Sequence, residues 1–326
     1  MNGCSDLADW RGMTNASELM AALPEPIGFV FGGGGSLGAA QVGMLQAVAE
    51  RGVEAGVVTG TSIGAINGAV VAADPVGAAS RLSHIWNEIE TKSILPGGVV
   101  ARLWTLWRRK IYLFETMAID ELLERELGDV DIADLAIPFG AVALDVDAGT
   151  STLLTTGRLR TAVRASSAIP GIFPPVTHEG RDYYDGAIVE NVPVMEALDL
   201  GANSLVVFDC AFADRPIDRP KNATEALVYS MTLQMRAQAQ RDMPLAAQQV
   251  PVLYLPGPAP MRVNPLDFSH SPELIRGGYT ATRRFLDAVE IDGPGLYRTA
   301  LAAAQAPVVA APVLTQPGDG GSRPAD

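Results

Sequence analysis

Twice between Ile27 and Ala73 the chain passes from an apolar run through a glycine-rich turn into a helix-compatible segment. The first run, Ile27 to Phe31, ends in Gly32-Gly33-Gly34-Gly35, and a helical pattern follows from Leu37 to Glu50. The second, Val53 to Val58, is stopped by Gly60-Thr61-Ser62-Ile63-Gly64, and another helical stretch covers Ala65 to Ala73. When a helix carries the chain from one strand to the next, the two strands pair in parallel, and the helices must cover the faces of the sheet. This order therefore predicts an α/β fold with a parallel sheet and argues against all-α or all-β architectures.

Further along, Val76 to Glu90 and Val99 to Gly128 read as helical on either side of a Pro96-Gly97-Gly98 break. Ala141 to Val146 and Ser151 to Thr155 read as strands, Leu159 to Ala168 as a helix, and Val176 to Tyr184 as a hairpin turning at Glu179-Gly180. Leu205 to Phe208 is a buried-strand candidate, Thr224 to Gln249 a long helix, and Val252 to Leu255 a last strand. No Pro/Gly-rich linker divides the middle of the chain. One domain over 25–300 is expected, between a loosely packed leader, 1–24, and an Ala/Pro/Gly-rich tail, 301–326, read as disordered.

Charge and cysteine usage narrow the function. Lys+Arg number 24 against 37 Asp+Glu, a net −13, which argues against a nucleic-acid partner because phosphates call for a basic stripe. The two cysteines, Cys4 and Cys210, make neither a disulfide framework nor a metal cluster. The most apolar stretch, Ala65 to Ala73, is too short to span a bilayer. The N-terminus lacks the basic and apolar regions of a secretory signal. A cytoplasmic setting is expected.

Gly60-Thr61-Ser62-Ile63-Gly64 fits G-x-S-x-G in the setting that motif needs, a buried strand before and a helix after. Glycines two residues either side of Ser62 let strand and helix approach closely, and the helix N-terminus aims N–H groups at the reacting centre. The glycine loop Gly32 to Gly38 opens the preceding helix, and its consecutive amides (Gly33, Gly34, Gly35, Ser36) can turn toward one anion. In a serine hydrolase that anion is the oxyanion of the tetrahedral intermediate. Gly33, Gly35 and Gly38 also fit a dinucleotide fingerprint, but the second strand ends in Val57-Val58-Thr59-Gly60 with no acid for a ribose, so a nucleotide cofactor is not expected.

A serine nucleophile needs a base. The chain has three histidines. His84 falls in an amphipathic helix, His178 at the hairpin turn, where exposure is expected, and His270 at a loop or helix cap. Asp185, in Tyr183-Tyr184-Asp185-Gly186-Ala187, ends an alternating apolar segment, and burial there would raise its pKa into the range of a base. Taken alone, Asp-Gly is more often simply a turn.

Together these pieces resemble the patatin-like phospholipase family, which has a glycine-rich loop after its first strand, then a G-x-S-x-G elbow, then a D-G-A/G motif. Here they read Gly32 to Gly38, Gly60 to Gly64, and Asp185-Gly186-Ala187, joined by Ala165 to Val176 ahead of the aspartate and Val42 to Val48 in the first helix. The resemblance covers about 27–210. It implies a three-layer α/β/α sandwich with a mostly parallel sheet, and hydrolysis of lipid acyl esters by a histidine-free dyad of Ser62 and Asp185. No metal or cofactor is implied. Gly38, Gly60, Gly64 and Gly186 are the motif glycines.

Where the family commonly carries Arg or Lys two residues after the glycine run, this chain has Leu37. That removes a contact to a substrate phosphate and makes neutral esters more plausible substrates. It also keeps open an alternative, a catalytically silent lipid-binding or regulatory protein of the same fold. Trp104, Trp107, Tyr112 and Phe114 beside Arg102, Arg108, Arg109 and Lys110 suit a peripheral membrane contact, although Trp104, Trp107 and Ile111 also recur at the spacing of a core stripe. Oligomeric state is not legible.

Overall fold

A computed structural model describes residues 22–93, 123–210, 219–259, 263, 265 and 267–299. Among them the strands are β1 (Ile27–Phe31), β2 (Val57–Thr61), β3 (Phe139–Asp145), β4 (Ser151–Leu154), β5 (Val176–His178), β6 (Arg181–Asp185), β7 (Ser204–Phe208), β8 (Pro251–Tyr254) and β9 (Gly295–Tyr297). The helices that matter here are α1 (Ala39–Ala49), α2 (Ile63–Ala73), α3 (Ala78–Ser93), α4 (Leu159–Ser166), α5 (Val194–Asp199), α6 (Ala223–Ala247) and α7 (Ser271–Leu286).

The strands form one sheet in the order β5-β6-β3-β2-β1-β7-β8-β9, with β4 paired to β3 off this path. Pairing is parallel from β3 through to β9 and antiparallel around β4, β5 and β6. Strands β1, β2 and β7 are buried along their full length, as continuous apolar runs covered on both faces must be. Alternation divides them between two cores. Phe29, Phe31, Val206 and Phe208 join α1, α2, α3, α4 and α7 on one face, whereas Val30, Leu205 and Val207 join α5 and α6 on the other. Phe31 and Phe208 stack across the first face with ring centroids 4.4 Å apart. The result is the three-layer α/β/α sandwich with a mostly parallel sheet.

Two details of the topology place the site. From β1 the chain winds outward through β2 and β3, and it later returns to the other side of β1 as β7. Such a reversal leaves a crevice outside the carboxyl ends of the strands, the usual ligand position in open α/β sheets. The second detail lies on β3. Thr61, the last residue of β2, pairs with Val142, and on the next rung of the same edge Ala143 pairs with Asp185 of β6. Where β2 leaves the sheet at Ser62, β6 enters it. The strand exchange sets positions 62 and 185 side by side.

Several elements differ from expectation. Strand β2 starts at Val57 and runs through Gly60 and Thr61, because β1 and β3 continue to offer parallel partners there; Val53 to Gly56 lie outside it. Helix α7 and strand β9 extend the fold past Leu255. Gly277-Gly278 argue against a helix by propensity, yet both sit inside α7, Gly278 where it crosses α1 at very close range and Gly277 against Pro258. A Cβ at Gly278 would lie 2.4 Å from the Ala40 carbonyl oxygen, and one at Gly43 would lie 1.9 Å from that of Ile275. The hairpin turns at Glu179 (φ 47°) and Gly180 (φ 83°), the paired positive values of a tight two-residue turn. His178 is then a strand residue rather than a turn residue. It is buried, against the expected exposure, with Nε2 3.0 Å from the Thr156 carbonyl. Leu23 and Pro24 at the end of the leader are also tied in: Leu23 is buried, and the Pro24 carbonyl accepts from Ser204 Oγ. Residues 1–21 of the leader and the tail lie outside the described residues.

Candidate active site

Ser62 occupies the turn between β2 and α2 with φ 56° and ψ −126°, a region that L-residues avoid at roughly 1–3 kcal/mol. The surroundings hold it there. Its carbonyl starts α2 by accepting from Ala65 and Ile66, and its amide donates to Ser166 Oγ at 2.9 Å. Ser166 Oγ in turn donates to the Val142 carbonyl at 2.6 Å. The motif glycines leave no room for side chains. Added Cβ atoms would meet Ile63 Cγ1 at 2.7 Å (Gly38), the Gly64 carbonyl oxygen at 2.5 Å (Gly60), that of Phe31 at 2.2 Å (Gly64) and that of Val142 at 2.3 Å (Gly186).

Ser62 Oγ donates to Asp185 Oδ2 at 2.6 Å. The other carboxylate oxygen, Oδ1, accepts the Ala187 amide at 2.9 Å, so both oxygens are engaged and the carboxylate plane is set. The Asp185 amide is anchored on the Ala168 carbonyl at 2.9 Å. Asp185 is 3 % exposed and Ser62 9 %. Burial pushes the Asp185 carboxyl up from its ordinary 3.8 to about 6, with the Ser62 and Ala187 hydrogen bonds pulling the other way. A carboxyl in that range is ionised at neutral pH yet basic enough to take a hydroxyl proton in a transition state.

The glycine loop faces the same point. A Cβ on Gly33 would lie 3.1 Å from Ser62 Cβ. Its four expected donors are not equivalent. The Gly33 amide donates to the Asn191 carbonyl (3.3 Å) and the Ser36 amide to the Pro265 carbonyl (2.7 Å). Among the described residues no carbonyl accepts from Gly34 or Gly35. Those two amides are available to an anion without displacing a bond.

None of the three histidines is near this pair. His84 is exposed and lies 3.1 Å from Glu88, His178 is bonded to Thr156, and His270 lies 3.8 Å from Asp267. Leu37 is half-buried against the apolar core. Among the described residues no three His, Cys, Asp or Glu side chains are grouped to hold a metal ion, and no helix is long and apolar enough to cross a membrane. The aromatic and basic segment with Trp104, Trp107, Arg108 and Arg109 lies outside the described residues.

Sequence reasoning missed a buried chain of amide side chains behind the loop. Gln41 Nε2 donates to the Gly32 and Phe208 carbonyls, both at 2.8 Å, and Gln41 Oε1 accepts from Asn67 Nδ2 at 2.7 Å. Asn67 Oδ1 accepts from Trp86 Nε1 at 3.1 Å. Each of the three residues is at most 1 % exposed. The signal was present: Gln41 and Asn67 are polar residues inside otherwise apolar helical runs, Ala39 to Val42 and Ala65 to Val71. A buried amide in such a run needs partners.

Comparison with known proteins identifies the family of the chain. The model of the family described as patatin-like phospholipase matches residues 29–198. Over 191 residues the chain is 32 % identical to neuropathy target esterase sws of Drosophila melanogaster and 31 % identical to patatin-like phospholipase domain-containing protein 7 of Rattus norvegicus. These alignments take in 58 % of this chain but 13 % and 14 % of the relatives, so the chain spans a small fraction of their length. Among solved structures, human GIVD cytosolic phospholipase A2 in complex with methyl gamma-linolenyl fluorophosphonate superposes with a TM-score of 0.44 at 14 % identity, covering 88 % of this chain and 63 % of that one.

Proposed function

Because the chain belongs to the patatin-like phospholipase family, we propose that it is a lipid acyl hydrolase that cleaves carboxylic esters through Ser62 as nucleophile and Asp185 as general base. The observation that carries this is the 2.6 Å hydrogen bond between a strained, buried serine and a buried carboxyl shifted to about 6.

The steps follow from where the atoms lie. As Ser62 Oγ attacks the ester carbonyl, its proton passes to Asp185 Oδ2 and the carbonyl π electrons move onto oxygen. The Gly34 and Gly35 amides receive that oxyanion, and donors of this kind are worth about 3–4 kcal/mol each in a dry site. Collapse of the intermediate breaks the ester C–O bond, and the proton on Asp185 goes to the leaving alcohol. A water then repeats the sequence on the acyl-enzyme: Asp185 takes its proton, and the fatty acid leaves as Ser62 recovers its hydrogen. Every proton transfer runs through one carboxylate, so no histidine is required.

The substrate class is a phospholipid, a lysophospholipid or a neutral acyl ester. Leu37, packed on the core where the family commonly has a cation, leaves the loop without a guanidinium for a phosphate and favours the neutral end of that range. Hydrolysis of p-nitrophenyl acyl esters by purified wild type, Ser62→Ala and Asp185→Asn, followed by a screen across lipid classes, tests the proposal. Activity is expected in the wild type alone; substantial activity in purified Ser62→Ala would defeat it.

A further inference from the structure

The buried amide chain behind the glycine loop has a fixed polarity, set by the donor-only indole of Trp86 at one end and by the acceptor-only carbonyls of Gly32 and Phe208 at the other. An indole N–H only donates, so the atom of Asn67 that faces Trp86 Nε1 must be Oδ1. The Asn67 NH2 then points at Gln41 and at the Gly38 carbonyl, 3.2 Å away. Gln41 must meet that NH2 with its own oxygen, which leaves its NH2 turned toward the carbonyls of Gly32 and Phe208. A carboxamide is nearly symmetric in shape, and the donor-only indole together with the acceptor-only carbonyls of Gly32, Phe208 and Gly38 chooses between its two orientations.

The far end of the chain lies on the strand reversal. Phe208 ends β7, and Gly32 is the first residue after β1; the Gly32 amide itself donates to the Phe208 carbonyl at 3.0 Å. Gln41 therefore ties together the carboxyl ends of the two strands between which the sheet reverses, and it holds the peptide plane from which the glycine loop departs. On the following peptide, Asn191 Nδ2 approaches the Gly33 carbonyl at 3.4 Å, and the Gly34 carbonyl accepts from Leu37 at 3.3 Å. Three successive carbonyls of the loop thus have donors, while among the described residues no carbonyl accepts from the amides of Gly34 and Gly35.

We propose that Gln41 is a positioning residue for the oxyanion donors, oriented by Asn67 and Trp86 in a one-way hydrogen-bonded chain that starts at the indole and ends on the glycine loop. This rests on the acyl-hydrolase reading above and deepens it. Gln41 touches neither substrate nor nucleophile; it acts through the peptide plane of Gly32 and Gly33. Preorganised donors matter most when charge develops, so its loss acts on the transition state and leaves ground-state binding alone.

The experiment measures kcat and KM on a p-nitrophenyl acyl ester for wild type, Gln41→Met and Trp86→Phe. Alongside, it measures affinity for a trifluoromethyl ketone, which forms a tetrahedral adduct with an activated serine, and for the product fatty acid, which does not. Gln41→Met keeps the length of the side chain without its donors and is expected to lower kcat about 10- to 100-fold, with KM within twofold. Ketone affinity should fall in parallel with kcat/KM, and fatty-acid affinity should hold. Trp86→Phe, which leaves Asn67 Oδ1 without its donor and loosens the chain at that end, is expected to lose about 3- to 10-fold in kcat with the same pattern. A folded Gln41→Met with kcat within twofold of wild type overturns the proposal, as does a loss shared equally by ketone and fatty acid. If Gln41→Met does not fold, Trp86→Phe decides, and an unchanged kcat there overturns it. An inactive wild type removes the acyl-hydrolase reading itself; an active wild type with indifferent variants removes only the positioning role.

Discussion

The turns that follow β1 and β2 are both built from glycine and both face the crevice, but they are held in different ways. The elbow after β2 draws on its own covalent neighbours, with Gly60 packed on the Gly64 backbone and the Ser62 carbonyl starting α2, and takes one side-chain bond from outside, from the Ser62 amide to Ser166 Oγ. The loop after β1 is fixed from outside, by Gln41 from α1, by the carbonyl of Asn191 beyond β6 and by the carbonyl of Pro265. A turn determined by adjacent residues can be read from a five-letter motif. A loop determined by distant ones shows only its flexibility in the sequence, and its geometry belongs to the assembled fold.

That contrast can be broken most forcefully at the elbow. Asp185→Asn preserves the shape of the side chain and removes the base, so kcat should fall on the order of 10³-fold or more. Stability should not suffer. The folded carboxyl is raised above its ordinary value, so between about pH 4 and pH 6 the folded chain binds more protons than the unfolded one, and wild-type stability declines as pH rises through that window. The asparagine variant should lack that decline in denaturant titrations across pH.

Next in size comes the loop. A Cβ at Gly34 would stand 2.4 Å from Cys210 Cβ, so Gly34→Ala should displace an oxyanion donor and lower kcat about 100-fold, measured at saturating ester. Adding Cys210→Gly removes the opposing atom and should recover part of the loss, which a merely rigid elbow position such as Gly64→Ala would not do, because there the opposing atoms are backbone.

A subtler division concerns pH. With Asp185 required in its ionised form, kcat/KM should fall about tenfold per pH unit below about 6. Gln41→Met should lower the whole profile without moving its midpoint, since Gln41 makes no contact with the carboxylate; a shifted midpoint would show that loop and elbow are not separable. The smallest effect expected is at the histidines. His84→Ala and His270→Ala should leave kcat/KM within twofold, because both side chains pair with surface carboxylates away from Ser62.

The same contrast explains what was legible in advance. Most of the order of strands and helices up to β8, the parallel sheet, the elbow at Ser62 and the turn at Glu179-Gly180 rest on local signals, periodicity and turn chemistry, whereas the short helix α5 is not among the expected elements. Asp185 could be reached by resemblance, but what puts it beside Ser62 is the exchange of β2 for β6 along β3, a long-range pairing that no spacing announces. Helix α7 has little local signal at Gly277-Gly278, where Gly278 serves a close crossing with α1 and Gly277 packs on Pro258. His178 is expected to be exposed only if it belongs to the turn; the turn begins one residue later, at Glu179, which leaves His178 as the buried last residue of β5. The glycine loop is legible as a run of backbone amides, while which of them lack a carbonyl acceptor among the described residues, Gly34 and Gly35, depends on which carbonyls the rest of the fold brings near.

The most direct measurement is active-site mapping with an alkyl fluorophosphonate: intact mass followed by peptide mapping of wild type and Asp185→Asn. The dyad predicts a single phosphonyl adduct on Ser62 of the wild type and labelling slowed by orders of magnitude in the variant. Folded wild-type protein that takes up no probe, or takes it up equally fast with asparagine at 185, would contradict it and favour a lipid-binding protein without chemistry of its own.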